Sequence, residues 1–130
     1  MTYTIRLTAA AYGDIVDILE RSEREFGVDA RRRYQHLVSV ALKDVSDEPE
    51  RSGSALRPEL GSNVRSWHLR MSRERARTVH GGVRHPRHFI VYTIIDEATV
   101  GVLRVLHDAM ELHRHLGVGL PSVPSDDPGY

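Results

Sequence analysis

Residues 86–107, PRHFIVYTIIDEATVGVLRVLH, form the most strongly strand-forming stretch of this 130-residue chain. They are rich in Val, Ile, Leu and aromatic residues, which suit a pleated and buried surface. The pattern predicts two β-strands, at 88–95 and 100–107, with a short turn at 96–99. The rest of the fold is expected to form around this hairpin.

Neither strand alternates cleanly between apolar and polar residues. One face of the first strand would carry Phe89, Val91 and Ile95, and the other Ile90, Tyr92 and Ile94. Strands with two apolar faces lie in the centre of a sheet that is covered on both sides. The remaining elements are therefore expected to pack on a sheet.

Two amphipathic helices are predicted upstream, one from Thr8 to about Phe26 and one from Asp29 to about Val45. The apolar stripe of the first helix is Ile15, Ile18, Leu19 and Phe26, and that of the second is Tyr34, Leu37, Val38, Ala41, Leu42 and Val45. Thr8 and Asp29 are typical N-cap residues, and Gly27 lies where a helix-ending glycine belongs. The short link predicts an antiparallel αα-hairpin.

The other predicted elements complete the order β-α-α-β-β-β-α. They are a strand at 3–7, a loop at 46–62, a strand at 64–71, one or two helical turns at 73–79 and a last helix at 108–116. This order predicts an α+β domain, with an antiparallel sheet and the αα-hairpin packed on one face. The domain is expected to span residues 1–116, followed by a flexible tail at 117–130 that is rich in glycine and proline.

Composition narrows the classes of function. The net charge is zero, which argues against a general nucleic-acid binder, and the absence of cysteine excludes disulfides and thiolate sites. No apolar run approaches the roughly 20 residues of a membrane span, so we expect a cytoplasmic protein without membrane contact. The eight histidines show no spacing typical of a metal site, so neither a metal nor another cofactor is expected.

Arginine supplies nearly all the basic side chains, since Lys43 is the only lysine among eighteen basic residues. Eight arginines between residues 65 and 104 form either a solvated surface or an electropositive face for an anionic partner. The resulting candidates for partner binding are Arg65, Trp67, Arg73, Arg75, Arg77, Arg87, His88, Arg104 and His107. Because the segment 73–79 is polar, replacing its three arginines by alanine is expected to weaken binding without unfolding the domain.

Two of these candidates have a second interpretation. Trp67 is either a core residue or a partner contact. His107 forms either an acid/base pair with Asp108 or a hydrogen bond to backbone groups at the start of the last helix.

Several short motifs occur in a characteristic order and spacing. They are YTIRL at 3–7, Ala11, Asp14 and Ile15, Gly27, Ala30, Tyr34, LG at 60–61, VR at 64–65, PRHFIVY at 86–92 and RVLHDAM at 104–110. Over residues 3–116 the chain resembles the ParE branch of the RelE/ParE toxin superfamily, the toxins of bacterial toxin–antitoxin pairs. It departs from the family at 72–84, which is longer than the usual connection between the second and third strands.

The resemblance implies one of two activities. RelE-like members cleave messenger RNA on the ribosome with cationic side chains and an acid/base such as tyrosine, whereas ParE-like members inhibit DNA gyrase. Phe89 and Asp108 stand where the ribonucleases carry arginines, and no tyrosine lies in the predicted last helix. These departures favour a ParE-like inhibitor without catalytic residues. A ribosome-dependent endoribonuclease, or a decayed toxin kept as an antitoxin-bound corepressor, is the alternative.

The same resemblance implies the partners. A cognate antitoxin would bind along the sheet edge and the αα-hairpin and form a hetero-oligomer with the toxin. Operator DNA would be contacted only through the antitoxin, and DNA gyrase would be the target of the free toxin. Growth arrest and plasmid stabilisation are the implied biological roles.

Overall fold

The computed structural model of the chain describes residues 2–110. The tail expected at 117–130 and most of the helix expected at 108–116 lie outside these residues.

Two long helices and five strands follow one another along the described residues. The strands are β1 (Thr4–Leu7), β2 (Ala55–Leu56), β3 (Val64–His68), β4 (His88–Asp96) and β5 (Thr99–His107). The helices are α1 (Ala9–Phe26) and α2 (Val28–Asp47), and a 3-10 helix spans Leu69–Ser72. The α+β class and the αα-hairpin are therefore confirmed.

The sheet is mixed, with the order β1-β5-β4-β3-β2. The pairings of β2 with β3, β3 with β4 and β4 with β5 are antiparallel, as expected, but β1 pairs with β5 in parallel. A parallel pairing requires a long crossover connection, which the two helices and the following strands provide. The prediction of a purely antiparallel sheet is therefore corrected at this one edge.

Both faces of the central hairpin are buried, as its sequence predicts. Ile90, Tyr92 and Ile94 belong to the larger apolar cluster, which lies beneath the two helices. Phe89 and Val91 belong to a smaller cluster on the opposite face. Ile95 differs from the prediction, because its side chain is 55% exposed at the end of β4.

The ends of the helices agree only in part with the predicted caps. The Thr8 hydroxyl accepts a hydrogen bond from the Ala11 N–H at 3.0 Å, so the first cap is confirmed. Gly27, with φ of 97°, both ends α1 and precedes α2, and Asp29 lies inside the first turn without capping it. Phe26 is 74% exposed, because the last turn of α1 lies at the tip of the hairpin beyond the core.

Three local predictions between the helices and the hairpin are corrected. The predicted loop contains the short edge strand β2, and β3 ends at His68 because the 3-10 helix begins there. Residues 73–76 form turns, in which the backbone of Ala76 bonds to Ser72 and its side chain is buried.

None of the helices in residues 2–110 combines the length and the apolar composition that a membrane span needs.

Candidate functional site

His88 and His107 meet at one end of the central hairpin. His88 begins β4 and His107 ends β5, and the register places the two residues opposite each other. Their rings lie 5.1 Å apart at an angle of 84°, and both side chains are buried. Tyr34 of α2 packs edge-on against His88, with its hydroxyl 2.7 Å from His88 Nδ1.

Tyr34 connects His88 to the neighbouring backbone. The Tyr34 oxygen accepts the Arg87 backbone N–H at 3.1 Å and lies 2.7 Å from His88 Nδ1. A hydroxyl can both donate and accept, so this contact is compatible with either neutral tautomer of His88. Burial, with the neighbouring His107 acting in the same direction, lowers the pKa of His88 to about 3, so its ring is neutral near neutral pH.

Asp108 connects the arginine and a third histidine at this end of the sheet. Its carboxylate accepts from the Arg87 guanidinium at 3.3 Å and lies 3.2 Å from His68 Nε2. His68 Nδ1 accepts the Arg70 N–H at 3.1 Å, so its Nε2–H is the hydrogen that points to Asp108. His68 was not a candidate from sequence, because only the register of β3 against β4 brings it here.

Each of these three histidines uses Nδ1 for a hydrogen bond within the protein. The third is His107, whose Nδ1 accepts the Ala109 N–H at 3.0 Å, in agreement with the backbone-bonding interpretation. A general base must instead offer a free acceptor to the substrate proton. Among residues 2–110, the histidines and acids form no group of three or more that could hold a metal ion.

Trp67 belongs to a buried network, and Arg75, whose side chain is 60% exposed, contacts this network from the surface. Trp67 is 3% exposed, and its Nε1–H donates to the Ser72 hydroxyl at 2.9 Å. Ser72 donates in turn to the Asp44 carboxylate at 2.7 Å, and Arg75 Nε reaches the same carboxylate at 2.9 Å. The core interpretation of Trp67 is the one that its burial supports.

Arg65 and Arg104 also form contacts within the chain. Arg65 lies opposite Tyr92 in the sheet and donates to the Ser54 hydroxyl at 2.9 Å. Arg104 donates to both oxygens of Asp14, at 2.8 and 2.9 Å, and this hydrogen bonding raises the pKa of Arg104. The structure thus brings neither residue to the histidine cluster.

Arg73, Arg77 and Arg87 line a groove between the tip of the αα-hairpin and the segment 73–88. Its volume is about 1200 Å³, and we call it the arginine groove. Among residues 2–110, the arginines that line it are Arg21, Arg33, Arg73, Arg77, Arg84 and Arg87, and the acidic residues are Glu25 and Glu74. Of the eight arginines that the sequence singled out between 65 and 104, four therefore meet in one concave site, namely Arg73, Arg77, Arg84 and Arg87.

Sequence reasoning missed Arg21 and Arg33, because they come from α1 and α2 and join the groove only in the folded chain. The Arg31-Arg32-Arg33 run was a signal for Arg33, although by itself it indicates no more than a solvated helix face.

The buried His88 predicts a pH-dependent stability. The unfolded chain protonates His88 below about pH 6.5, whereas the folded chain does so only near pH 3. The contribution of His88 to the free energy of unfolding is therefore complete above about pH 6.5. It decreases by about 1.4 kcal/mol per pH unit as the pH falls from 6.5 towards 3. Urea unfolding at a series of pH values between about 7 and 4.5 measures the slope of the free energy of unfolding against pH.

The matched variants are His88→Gln, which keeps an acceptor for Tyr34, and His36→Gln at an exposed position of α2. Other charged groups near His88, namely His107, Asp108, His68 and Arg87, remain in both. We expect the slope to decrease in the His88 variant and to be retained in the His36 variant. Equal slopes in all three proteins would contradict the assignment.

Comparisons with known proteins agree with this architecture. Residues 5–112 match the family model described as the ParE toxin of the type II toxin-antitoxin system parDE. A search of curated protein sequences gives no significant match.

Two solved structures are similar to the chain. One is the toxin–antitoxin complex RelBE2 from Mycobacterium tuberculosis, with 29% identity, a TM-score of 0.50 and coverage of 82% of this chain and 99% of that chain. The other is the chromosomal ParDE toxin–antitoxin system from P. aeruginosa, with 12% identity, a TM-score of 0.58 and coverage of 82% and 96%, and it shows the fold alone. Because the family model covers most of the sequence, this chain belongs to the ParE toxin family of type II toxin–antitoxin systems.

Proposed function

We propose that this ParE-family toxin acts in the cytoplasm by binding DNA gyrase, and that a cognate antitoxin neutralises it in a hetero-oligomer. The toxin would hold gyrase in its DNA-cleaved state and would cleave no nucleic acid itself. Its contact with operator DNA would pass through the antitoxin. Growth arrest and plasmid stabilisation would follow from gyrase inhibition and from the pairing with the antitoxin.

The observation that carries the proposal is the state of the histidine cluster. RNA cleavage would need an acceptor for the 2′-hydroxyl proton and positive charge at the scissile phosphate. His68, His88 and His107 each use Nδ1 in an internal hydrogen bond. The Asp108 carboxylate lies among them and pairs with Arg87, so it would oppose an approaching phosphate. This arrangement supports action by binding.

A ribosome-dependent endoribonuclease is the second candidate, because the chain is 29% identical to a protein of the RelBE2 complex. A decayed toxin that survives as an antitoxin-bound corepressor would preserve the fold but neither activity. The two experiments below separate these three possibilities.

Purified toxin is expected to inhibit gyrase supercoiling of relaxed plasmid and to leave linear DNA after protease treatment. The physical reason is that a bound inhibitor that stabilises the cleaved state traps the enzyme covalently on both DNA ends. Supercoiling gels with increasing toxin measure the effect, and topoisomerase I serves as a control enzyme that should be unaffected. Full supercoiling at a large molar excess of folded toxin would contradict the gyrase assignment.

The same preparation is tested for RNA cleavage by toeprinting on translating ribosomes. We expect the toeprint pattern to be unchanged by the toxin. Toxin-dependent cuts in the ribosomal A site would replace the proposal with the ribonuclease. Inactivity in both assays would support the corepressor.

A further inference from the structure

The arginine groove includes three arginines that have no carboxylate partner in the described part of the chain. Among residues 2–110, no ion pair joins Arg33, Arg77 or Arg84 to a carboxylate, although all three line the groove. The other lining arginines are compensated: Arg21 by Glu25, Arg73 by Glu74 and Arg87 by Asp108. Three guanidinium groups in one concavity repel each other, and an anionic ligand would relieve this repulsion.

The backbone holds two of these arginines in place. A Cβ atom at Gly82 would lie 3.0 Å from Arg77 Cγ, and one at Gly81 would lie 3.9 Å from Arg33 Cδ. The Gly81-Gly82 turn therefore packs closely on the aliphatic part of Arg77 and more loosely on that of Arg33. Arg73 donates to the Arg84 carbonyl at 2.8 Å and holds that part of the wall. Such pre-organisation lowers the entropy cost of binding.

The groove also has an apolar wall. Ile18, Phe26 and Val83 line it, and Phe26 is 74% exposed. An exposed aromatic ring beside the guanidinium groups of Arg33, Arg77 and Arg84 suits a ligand that has both apolar and carboxylate side chains. Arg binds carboxylates in a bidentate manner, which gives geometric specificity as well as affinity.

A peptide fits these features better than a nucleic acid. The chain has no net charge, whereas proteins that bind nucleic acid through phosphates are usually basic. Glu25 and Glu74 on the lining would also repel a continuous phosphate backbone. A polypeptide can place its carboxylates beside the arginines and its apolar side chains beside Phe26.

We propose that the arginine groove binds an acidic, partly apolar segment of a partner polypeptide. The proposal rests on the proposed function in one respect, because the antitoxin is then the natural source of that segment. One wall of the groove is formed by residues of the segment 73–88, where the carboxylates of the partner segment would meet Arg77 and Arg84.

The test uses defined probes, namely labelled poly(Glu,Tyr), poly-Glu and an oligothymidylate, titrated into the full chain at about 50 mM salt. The groove variant is Arg33→Gln/Arg77→Gln/Arg84→Gln. The control variant is Arg6→Gln/Arg24→Gln/Arg70→Gln, which removes the same charge from exposed arginines outside the groove. Fluorescence anisotropy gives the affinity of each probe.

We expect poly(Glu,Tyr) to bind the parent chain more tightly than poly-Glu does, and Phe26→Ser to remove this advantage. The groove variant should lose about tenfold or more in affinity for poly(Glu,Tyr), because contacts to charged groups are strong, while the control variant should lose about twofold or less. If the groove variant unfolds more easily than the parent chain, the three single variants are tested instead. Each is then expected to lose about twofold to threefold in affinity for poly(Glu,Tyr).

Three results would overturn the proposal. They are equal losses in the groove and control variants, no binding of poly(Glu,Tyr) to the parent chain, and oligothymidylate binding that is tighter than peptide binding and is lost in the groove variant. None of these measurements uses gyrase or ribosomes. Failure of the groove proposal is therefore distinguishable from failure of the proposed function.

Discussion

Replacing Asp44 by alanine is expected to lower the free energy of unfolding by about 2–3 kcal/mol, because it leaves the buried Ser72 hydroxyl without its acceptor. Asp44 is 2% exposed on α2, and its carboxylate accepts from the buried Ser72 hydroxyl and from Arg75 Nε. The Ser72 hydroxyl also accepts from Trp67, so the substitution breaks a chain of three connected groups. Buried polar networks are costly to leave partly satisfied. Urea unfolding followed by circular dichroism measures the loss.

The control for this experiment is Asp29→Ala in the first turn of the same helix. Asp29 is 84% exposed and lies 3.8 Å from Arg32, which is 77% exposed. Its replacement should cost less than about 1 kcal/mol, because water screens such pairs. Similar losses in the two variants would show that the buried network contributes little.

Asp44 also changes the interpretation of the arginine-rich segment. The sequence predicts that Arg73, Arg75 and Arg77 can be replaced together without unfolding the domain. The premise of that expectation, namely that this polar segment contributes little to the core, is wrong, because Arg75 pairs with buried Asp44 and Ala76 is itself buried. A test of partner binding must therefore leave Arg75 in place, as the groove variant does.

Replacing Asp14 by alanine is the second large effect, with an expected loss of about 3–5 kcal/mol. Asp14 and Arg104 form a bidentate pair, and their side chains are only 13% and 15% exposed. The same carboxylate accepts the Val105 backbone N–H at 2.9 Å. This N–H lies beyond the end of β1, whose pairing with β5 stops at Val102. Removing Asp14 would therefore leave a charged group and a backbone donor without their acceptor.

Two further variants make this prediction specific. Asp17→Ala, an exposed aspartate three residues along α1, should change stability by about 0.5 kcal/mol or less. The double variant Asp14→Leu/Arg104→Met should be more stable than Asp14→Ala alone, because no unpaired charge remains. Thermal and urea unfolding compare all four proteins. A double variant that is no more stable than Asp14→Ala would argue against an uncompensated Arg104 as the cause.

Much of the fold could be predicted from local patterns. The nearly continuous apolar run at 88–95 predicted a central strand with two buried faces, and the two apolar clusters confirm it. The helical spacing of apolar residues predicted both long helices and their hairpin. These patterns are reliable because burial of apolar surface dominates folding and acts along the whole element.

The sequence was less informative about chain ends and pairing. Phe26 follows the apolar spacing of α1 and is nevertheless exposed, because periodicity does not show where the core ends. The parallel pairing of β1 with β5 depends on which edge of the sheet remains available after the hairpin forms. The short strand β2 has only two residues, too few for any recognisable pattern.

For the functional residues, the residue types were informative and their roles were not. The sequence showed many arginines and histidines, and it favoured a partner-binding surface over a metal site. It could not separate arginines that hold the fold, such as Arg75 and Arg104, from those that line the groove, such as Arg77 and Arg84. That difference depends on whether a carboxylate from a distant element lies within reach of each guanidinium.

The sequence by itself therefore determined the α+β class, the αα-hairpin on the sheet and the membership of a toxin family, because each follows from patterns that extend over many residues. Only the tertiary structure decided the mixed sheet, the histidine cluster around Asp108 and the arginine groove. Those features bring together residues tens of positions apart, such as Arg33 with Arg77 and His68 with Asp108. Their interactions depend on distances of a few ångströms, which are set only when all elements have packed.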